Sequence, residues 1–261
     1  MHLDLYRRFI EARPEFDAVG KIMPYGWTNL PNPLEAIWMA YSVMLDDFAR
    51  ELANAMNGFT LNVRRLCTWE SLMVSLHEEE QAEAQHEFIE PIATLCLLTP
   101  YMIKSRLLFA TAHLCHLVNL VREADRPEGL LPGDDAIWMD SADRQGRPWR
   151  RYTRLKTRIE AIGGKKLKNA TADFRNAFEH RFPPRIGTGI TNFVTRDFNP
   201  ATGRGVYLFG GTDALALKDV AALLVAELDK CYAAFAAFQA LVADHETFVT
   251  AQNAARAARP S

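Results

Sequence analysis

Four cysteines are scattered through the 261 residues, at Cys67, Cys96, Cys115 and Cys231, and no two of them form a C-x-x-C pair. Neither a disulfide framework nor a zinc ribbon is suggested, and a reducing, cytoplasmic setting is expected. Glycine-rich pieces such as Gly163-Gly164 and Gly203-Arg204-Gly205 lack the Lys-Ser/Thr ending of a phosphate-cradling loop. A Gly-x-Ser-x-Gly nucleophile elbow is also missing. The chain has no fixed-period repeat and no evident domain linker. Its first residues, "MHLDLYRRFIEARPEF", carry acids and no continuous apolar core, so they are not expected to act as a secretory signal. The most apolar region, Ile92 to Val121, is interrupted by Pro100, Lys104 and Arg106 and contains His113 and His116. It reads as a buried helix pair rather than a membrane span.

Metal chemistry is not favoured either. Glu83 and His86 have the Glu-x-x-His spacing of a di-iron bundle, but no other histidine has a glutamate three positions before it. His113, His116 and Cys115 lie close in sequence in apolar surroundings, which fits buried, hydrogen-bonded histidines better than a metal clip. No metal and no cofactor is expected.

The hydrophobic share of 49% and charged share of 24% are those of an ordinary globular protein. Net charge is only −2, but it is unevenly spread. From Arg144 to Arg185 there are 13 Lys/Arg against three acids, a net of +10, which leaves −12 on the rest. Such a segment suits a polyanion, and a solvated basic helix is the plainer alternative. The candidate contacts are Arg147, Arg150, Arg151, Arg154, Arg158, Lys165 and Lys166.

Periodicity places the elements. Gly20 to Pro33 is a turn-rich entry loop. Leu34 to Asn57 reads as a helix stopped by Gly58. Leu61 to Leu98 reads as one long helix or two, and Tyr101 to Ala124 as another. About 125–148 is expected to be a flexible loop rich in Pro, Gly and Asp. Arg150 to Ile162 is a basic amphipathic helix with Tyr152, Leu155 and Ile159 inward. Gly163-Gly164 breaks it, and Leu167 to Arg181 follows as one further helix. A β-hairpin is expected at about 188–210, then a long helix over Leu217 to His245 and a frayed tail at 250–261. The architecture is all-α: a single helical bundle over 1–261 with a small β-hairpin inserted before the last long helix.

One stretch carries chemistry. In "FRNAFEHR" the residues Arg175, Asn176 and His180 match a signature of Arg, a polar residue, a short spacer and His. Together with the helical organisation, this motif late in the chain resembles the HEPN superfamily. The resemblance implies a helical bundle acting as a metal-independent endoribonuclease, with Arg175, Asn176 and His180 catalytic in a composite site shared by a homodimer. It also implies RNA or a nucleotide as partner, a role in stress or phage defence, and an antitoxin protein as a companion in that setting. HEPN-like folds include members that bind nucleotides, nucleic acid or proteins without catalysis, so a non-catalytic binding module stays open, as does an unrelated scaffold with a coincidental motif.

The residue types suit the reaction. Metal-free RNA cleavage needs a group of near-neutral pKa to move the proton of a 2′-hydroxyl, which His180 can supply. It also needs a fixed cation over the phosphoryl oxygens, which the Arg175 guanidinium can supply. Asn176 and His180 are four apart, so the amide is placed to orient the imidazole. Arg175 and His180 differ by about 140° around a helix axis, which favours a site shared between two copies. The bland alternative is an Arg175–Glu179 surface ion pair.

Overall fold

A computed structural model describes residues 2–123, 125, 127 and 130–257. The fold is mostly helical, with a small hairpin before the last helix. The α-helices are α1 (His2–Ala12), α2 (Met39–Met73), α3 (Glu78–Ala84), α4 (Glu90–Arg122), α5 (Met139–Gly146), α6 (Tyr152–Ala161), α7 (Lys165–Ala170), α8 (Phe174–His180) and α9 (Leu217–Ala257). Strands β1 (Ile190–Thr191), β2 (Val194–Asn199), β3 (Arg204–Phe209) and β4 (Thr212–Asp213) lie between α8 and α9. Strand β2 pairs antiparallel with β3, and β1 with β4.

Two helices run through the stops expected of them. Gly58 does not end α2, because buried Tyr41, Leu45, Leu52, Met56, Phe59, Val63 and Leu66 keep one unbroken helical stripe on both sides of it. Burial of that stripe outweighs the roughly 1 kcal/mol that a glycine costs inside a helix. Pro100 likewise sits inside α4, so the expected helix pair is one helix. An apolar window within Glu78–Arg122 is long enough to cross a membrane by length and composition, and 44% of it is buried within the protein.

Other boundaries also differ from the periodic reading. The loop expected at about 125–148 contains a 3-10 turn, Asp134–Ala136, and α5. Helix α5 buries Ser141, Ala142, Gln145 and Gly146, small or polar groups that give little apolar signal. The tail expected to fray from 250 is helical to Ala257, with Val249 buried, and residues 258–261 lie outside the described residues. Leu167 to Arg181 is two helices. The Thr171 hydroxyl donates to Leu167 O and the Asp173 N–H to Lys168 O, closing α7, while Ala172 and Asp173 both take a φ of 50°. Local side-chain bonding of this kind competes with helix continuation, and Asp tolerates the left-handed region better than most residues.

The chain forms two compact units: Met1–Gly20, Phe59–Thr99 and Gly163–Glu227 make the first, and Lys21–Gly58, Pro100–Ile162 and Leu228–Ser261 the second. In the first unit α1 is anchored by Phe9, whose ring stacks on Trp69 at 4.9 Å, and Trp69 stacks on Phe88 at 4.8 Å. The Glu227 carboxylate, buried, accepts the Gly163 N–H at 3.0 Å and so satisfies the turn before α7.

In the second unit α9 buries Leu228, Cys231, Phe235, Phe238, Val242, His245 and Val249, spaced alternately three and four apart. His245 is therefore a core residue. Its Nδ1 lies 3.1 Å from the Tyr41 hydroxyl and its Nε2 lies 3.6 Å from Cys115 Sγ. Burial lowers its pKa to about 3, which keeps the ring neutral, and burial raises that of Tyr41.

Candidate functional site

Helix α8 is seven residues long and turns its apolar side inward, with Phe174 and Ala177 buried and Phe174 stacked on Phe178 at 6.0 Å. The motif residues lie on the other side. Arg175 Nε is 2.9 Å from Glu179 Oε1, and His180 Nε2 is 3.8 Å from Glu179 Oε2. The Arg175, Glu179 and His180 side chains are 44%, 39% and 67% exposed, so water screens these contacts strongly.

The geometry both joins and separates the three motif residues. Arg175 and His180 approach a common carboxylate, although a straight helix places them far apart around its axis. Glu179 makes this possible because it is four residues beyond Arg175 and adjacent to His180. Asn176 is half-buried and forms no hydrogen bond with His180 among the described residues, so the expected orienting amide is not in that role here.

The segment after α8 is held to its own unit by side-chain contacts and by backbone bonds of Arg185 and Gly187 with Leu215. Arg185 Nη1 contacts Glu90 Oε1 at 2.9 Å, and Gln85 Nε2 donates to Ile186 O. Gly187 is required beside them. Its φ is 82°, and a Cβ there would come within 2.4 Å of Gln85 Oε1. Phe178, Phe182, Pro183 and Pro184 line a groove of about 300 Å³, and Phe178 and Phe182 remain 47% and 78% exposed. The hairpin of the same unit exposes Phe198, Tyr207 and Phe209 at 59%, 66% and 86%.

The expected cationic contacts fall in both units. In the second unit, Arg147, Arg150, Arg151, Arg154 and Arg158 are all exposed. Arg151 is engaged by Asp244 at 3.0 Å and by Ala240 O, and Arg147 lies 4.0 Å from Asp143. Arg150, Arg154 and Arg158 have no ion-pair partner among the described residues and follow one another at a spacing of four. Asp143 is instead taken by Lys156 at 2.6 Å and by the Tyr152 hydroxyl, and these partners outweigh desolvation to lower its pKa. Lys165 and Lys166 are exposed at the start of α7 in the first unit.

Glu83 and His86 do not form a ligand pair on one regular helix face, because His86 falls in a π-helical turn, Gln85–Ile89, that begins just after α3. Among the described residues no group of three His, Cys, Asp or Glu is gathered as a metal site requires. His116 is buried and His113 half-buried in α4.

A second concavity escaped the periodic reading. Phe48, Phe109 and Trp138, together with Asp134 and Asp135, surround a cavity of about 520 Å³ in the second unit. The run "DDAIWMD" carried the signal: two acids beside a tryptophan in a segment otherwise taken for loop. The chain matches no family profile, no curated protein and no solved structure.

Proposed function

We propose that this protein is a HEPN-like, metal-independent endoribonuclease whose site is completed by a second copy of the chain. The observation that supports the reading is the motif itself, with Arg175 and His180 both on the exposed side of α8, while the open Arg175–Glu179 pair is the one expected of an unrelated scaffold with a coincidental motif. In a single protomer these groups lie open to water, where neither proton transfer nor charge stabilisation is effective. A partner surface covering Phe178 and Phe182 would desolvate the motif and bring a second Arg175 and His180 to it. In that setting His180 moves the 2′-hydroxyl proton and Arg175 stabilises the phosphorane-like charge.

A second reading is a non-catalytic HEPN-like module that binds a nucleotide, nucleic acid or a protein. Glu179 favours the absence of catalysis, since its carboxylate engages Arg175 and lies beside His180.

Cleavage of single-stranded RNA in excess EDTA, by wild type beside His180→Ala, tests the proposal. Expected are 2′,3′-cyclic phosphate ends, a loss of ~10²–10⁴-fold in rate for His180→Ala, and an unchanged circular dichroism spectrum. Saturable RNA binding without cleavage selects the second reading. Absence of both overturns the proposal.

A further inference from the structure

The 520 Å³ cavity of the second unit has the size and composition of a small-molecule site. Its floor is aromatic and aliphatic. Phe48 from α2 and Phe109 from α4 meet edge to face at 5.6 Å, with Leu52, Ala110 and Ile137 beside them. Its rim is charged and predominantly acidic, with Glu51, Asp134 and Asp135 against Arg106 alone.

The rim groups differ in what they already contact. Asp134 Oδ1 lies 3.2 Å from Nε2 of His113, an atom buried without a hydrogen bond among the described residues, and the His113 ring packs on Phe109 at 4.4 Å. Glu51 receives a long hydrogen bond from Asn54 and lies 3.9 Å from Arg50. Asp135 has no partner among the described residues, and neither does Arg106. Trp138 stands at the same cavity with 66% of its surface in water.

Three features of the site call for one occupant. An aromatic and aliphatic floor faces the opening, a tryptophan lies mostly in water, and three carboxylates crowd that opening. One kind of molecule relieves all three: an apolar body that fills the floor, with a positive end at the rim. The sign follows from the charges, because an anion reaching Arg106 would face three carboxylates. A hydrated metal ion would gain nothing from Phe48 and Phe109.

We infer that this cavity binds an organic ammonium compound with an aromatic or branched aliphatic body. The body lies against Phe48 and Phe109, and the ammonium sits between Asp135 and the face of Trp138. A cation over an indole face, with a carboxylate behind it, is a recurrent way to hold such a group.

The experiment is calorimetric titration of the full chain with phenethylammonium chloride, beside sodium 3-phenylpropionate as a near-isosteric anion. Saturable binding of phenethylammonium is expected, with the anion binding at least tenfold more weakly. Asp135→Asn and Trp138→Leu each weaken phenethylammonium by roughly tenfold, and Asp197→Asn, on the hairpin of the other unit, leaves it unchanged. Asp135 and Trp138 are exposed, so both variants should fold, and circular dichroism checks that they do. Equal affinity for the two probes overturns the inference, as does absence of saturation below roughly 10 mM. Binding that neither Asp135→Asn nor Trp138→Leu weakens also overturns it.

Discussion

Arg175 Nε lies 2.9 Å from Glu179 Oε1, and the second oxygen of that carboxylate lies 3.8 Å from His180. The motif's cation is therefore already occupied in the isolated chain. An exposed pair four apart on a helix contributes about 0.3–0.5 kcal/mol, so Glu179→Gln should barely move the unfolding midpoint. It should nevertheless tighten single-stranded RNA, because Arg175 is released to a phosphate. Thermal denaturation and anisotropy of a labelled RNA measure the two effects. A loss of more than about 1 kcal/mol of stability, or weaker RNA binding, would make Glu179 a structural residue instead.

The exposed arginines of the basic segment should separate into two groups. Arg154→Gln and Arg158→Gln remove cations that have no acidic partner, so each should reduce the salt dependence of RNA affinity by about 0.7 in the log–log slope. Arg151→Gln should do less, since Asp244 and Ala240 O hold that guanidinium. Binding measured across a salt series distinguishes them, and equal effects from all three substitutions would mean that Arg151 leaves its partners for RNA.

His245 should make the fold acid-sensitive. Burial lowers its pKa from the ordinary 6.5 to about 3. The unfolded chain then binds a proton between those values that the folded chain does not. Stability from this residue is complete above the unfolded pKa and declines as pH falls through the window, by at most about 1.4 kcal/mol per unit. In urea titrations from pH 7 to pH 4, His245→Gln should show a shallower decline than wild type, from a lower starting stability. Parallel declines would show that the ring is not kept neutral.

The turn before α7 rests on a buried acceptor. Glu227→Ala removes the oxygen that takes the Gly163 N–H, and a buried donor left unsatisfied costs about 1–3 kcal/mol. Glu227→Gln keeps an acceptor oxygen and should lose less. Gly163→Ala should destabilise independently by about 1–2 kcal/mol, because its φ is 62°. Urea denaturation of the three variants checks the order. An unaffected Glu227→Ala would show that water replaces the carboxylate at no penalty.

Much of the helical framework can be read directly from residue spacing. The inward face of α6, with Tyr152, Leu155 and Ile159, follows from the 3.6-residue period, and so does the buried seam of α9. The hairpin follows from the switch to β-type runs around "FNPATGR". Gly58 and Pro100 misled because local propensity is worth about 1–3 kcal/mol and continuous burial of a long stripe is worth more. Helix α5 was not readable, since its buried face is made of Ser141, Ala142, Gln145 and Gly146 rather than large apolar residues.

The candidate site divides along the same line. Sequence alone determined which residue types stand in the motif and that Arg175 and Glu179 are spaced to pair, because both facts depend on positions within one turn of helix. The break between α7 and α8 at Ala172 and Asp173 is also local, closed by bonds to Leu167 O and Lys168 O only four and five residues back, but it carries no hydrophobic period to be read. Tertiary structure decided the cavity of the second unit. Phe48, Phe109 and Trp138 come from segments far apart in the chain, and only packing, which acts through space and not along sequence, brings their rings and the acids of "DDAIWMD" to one opening.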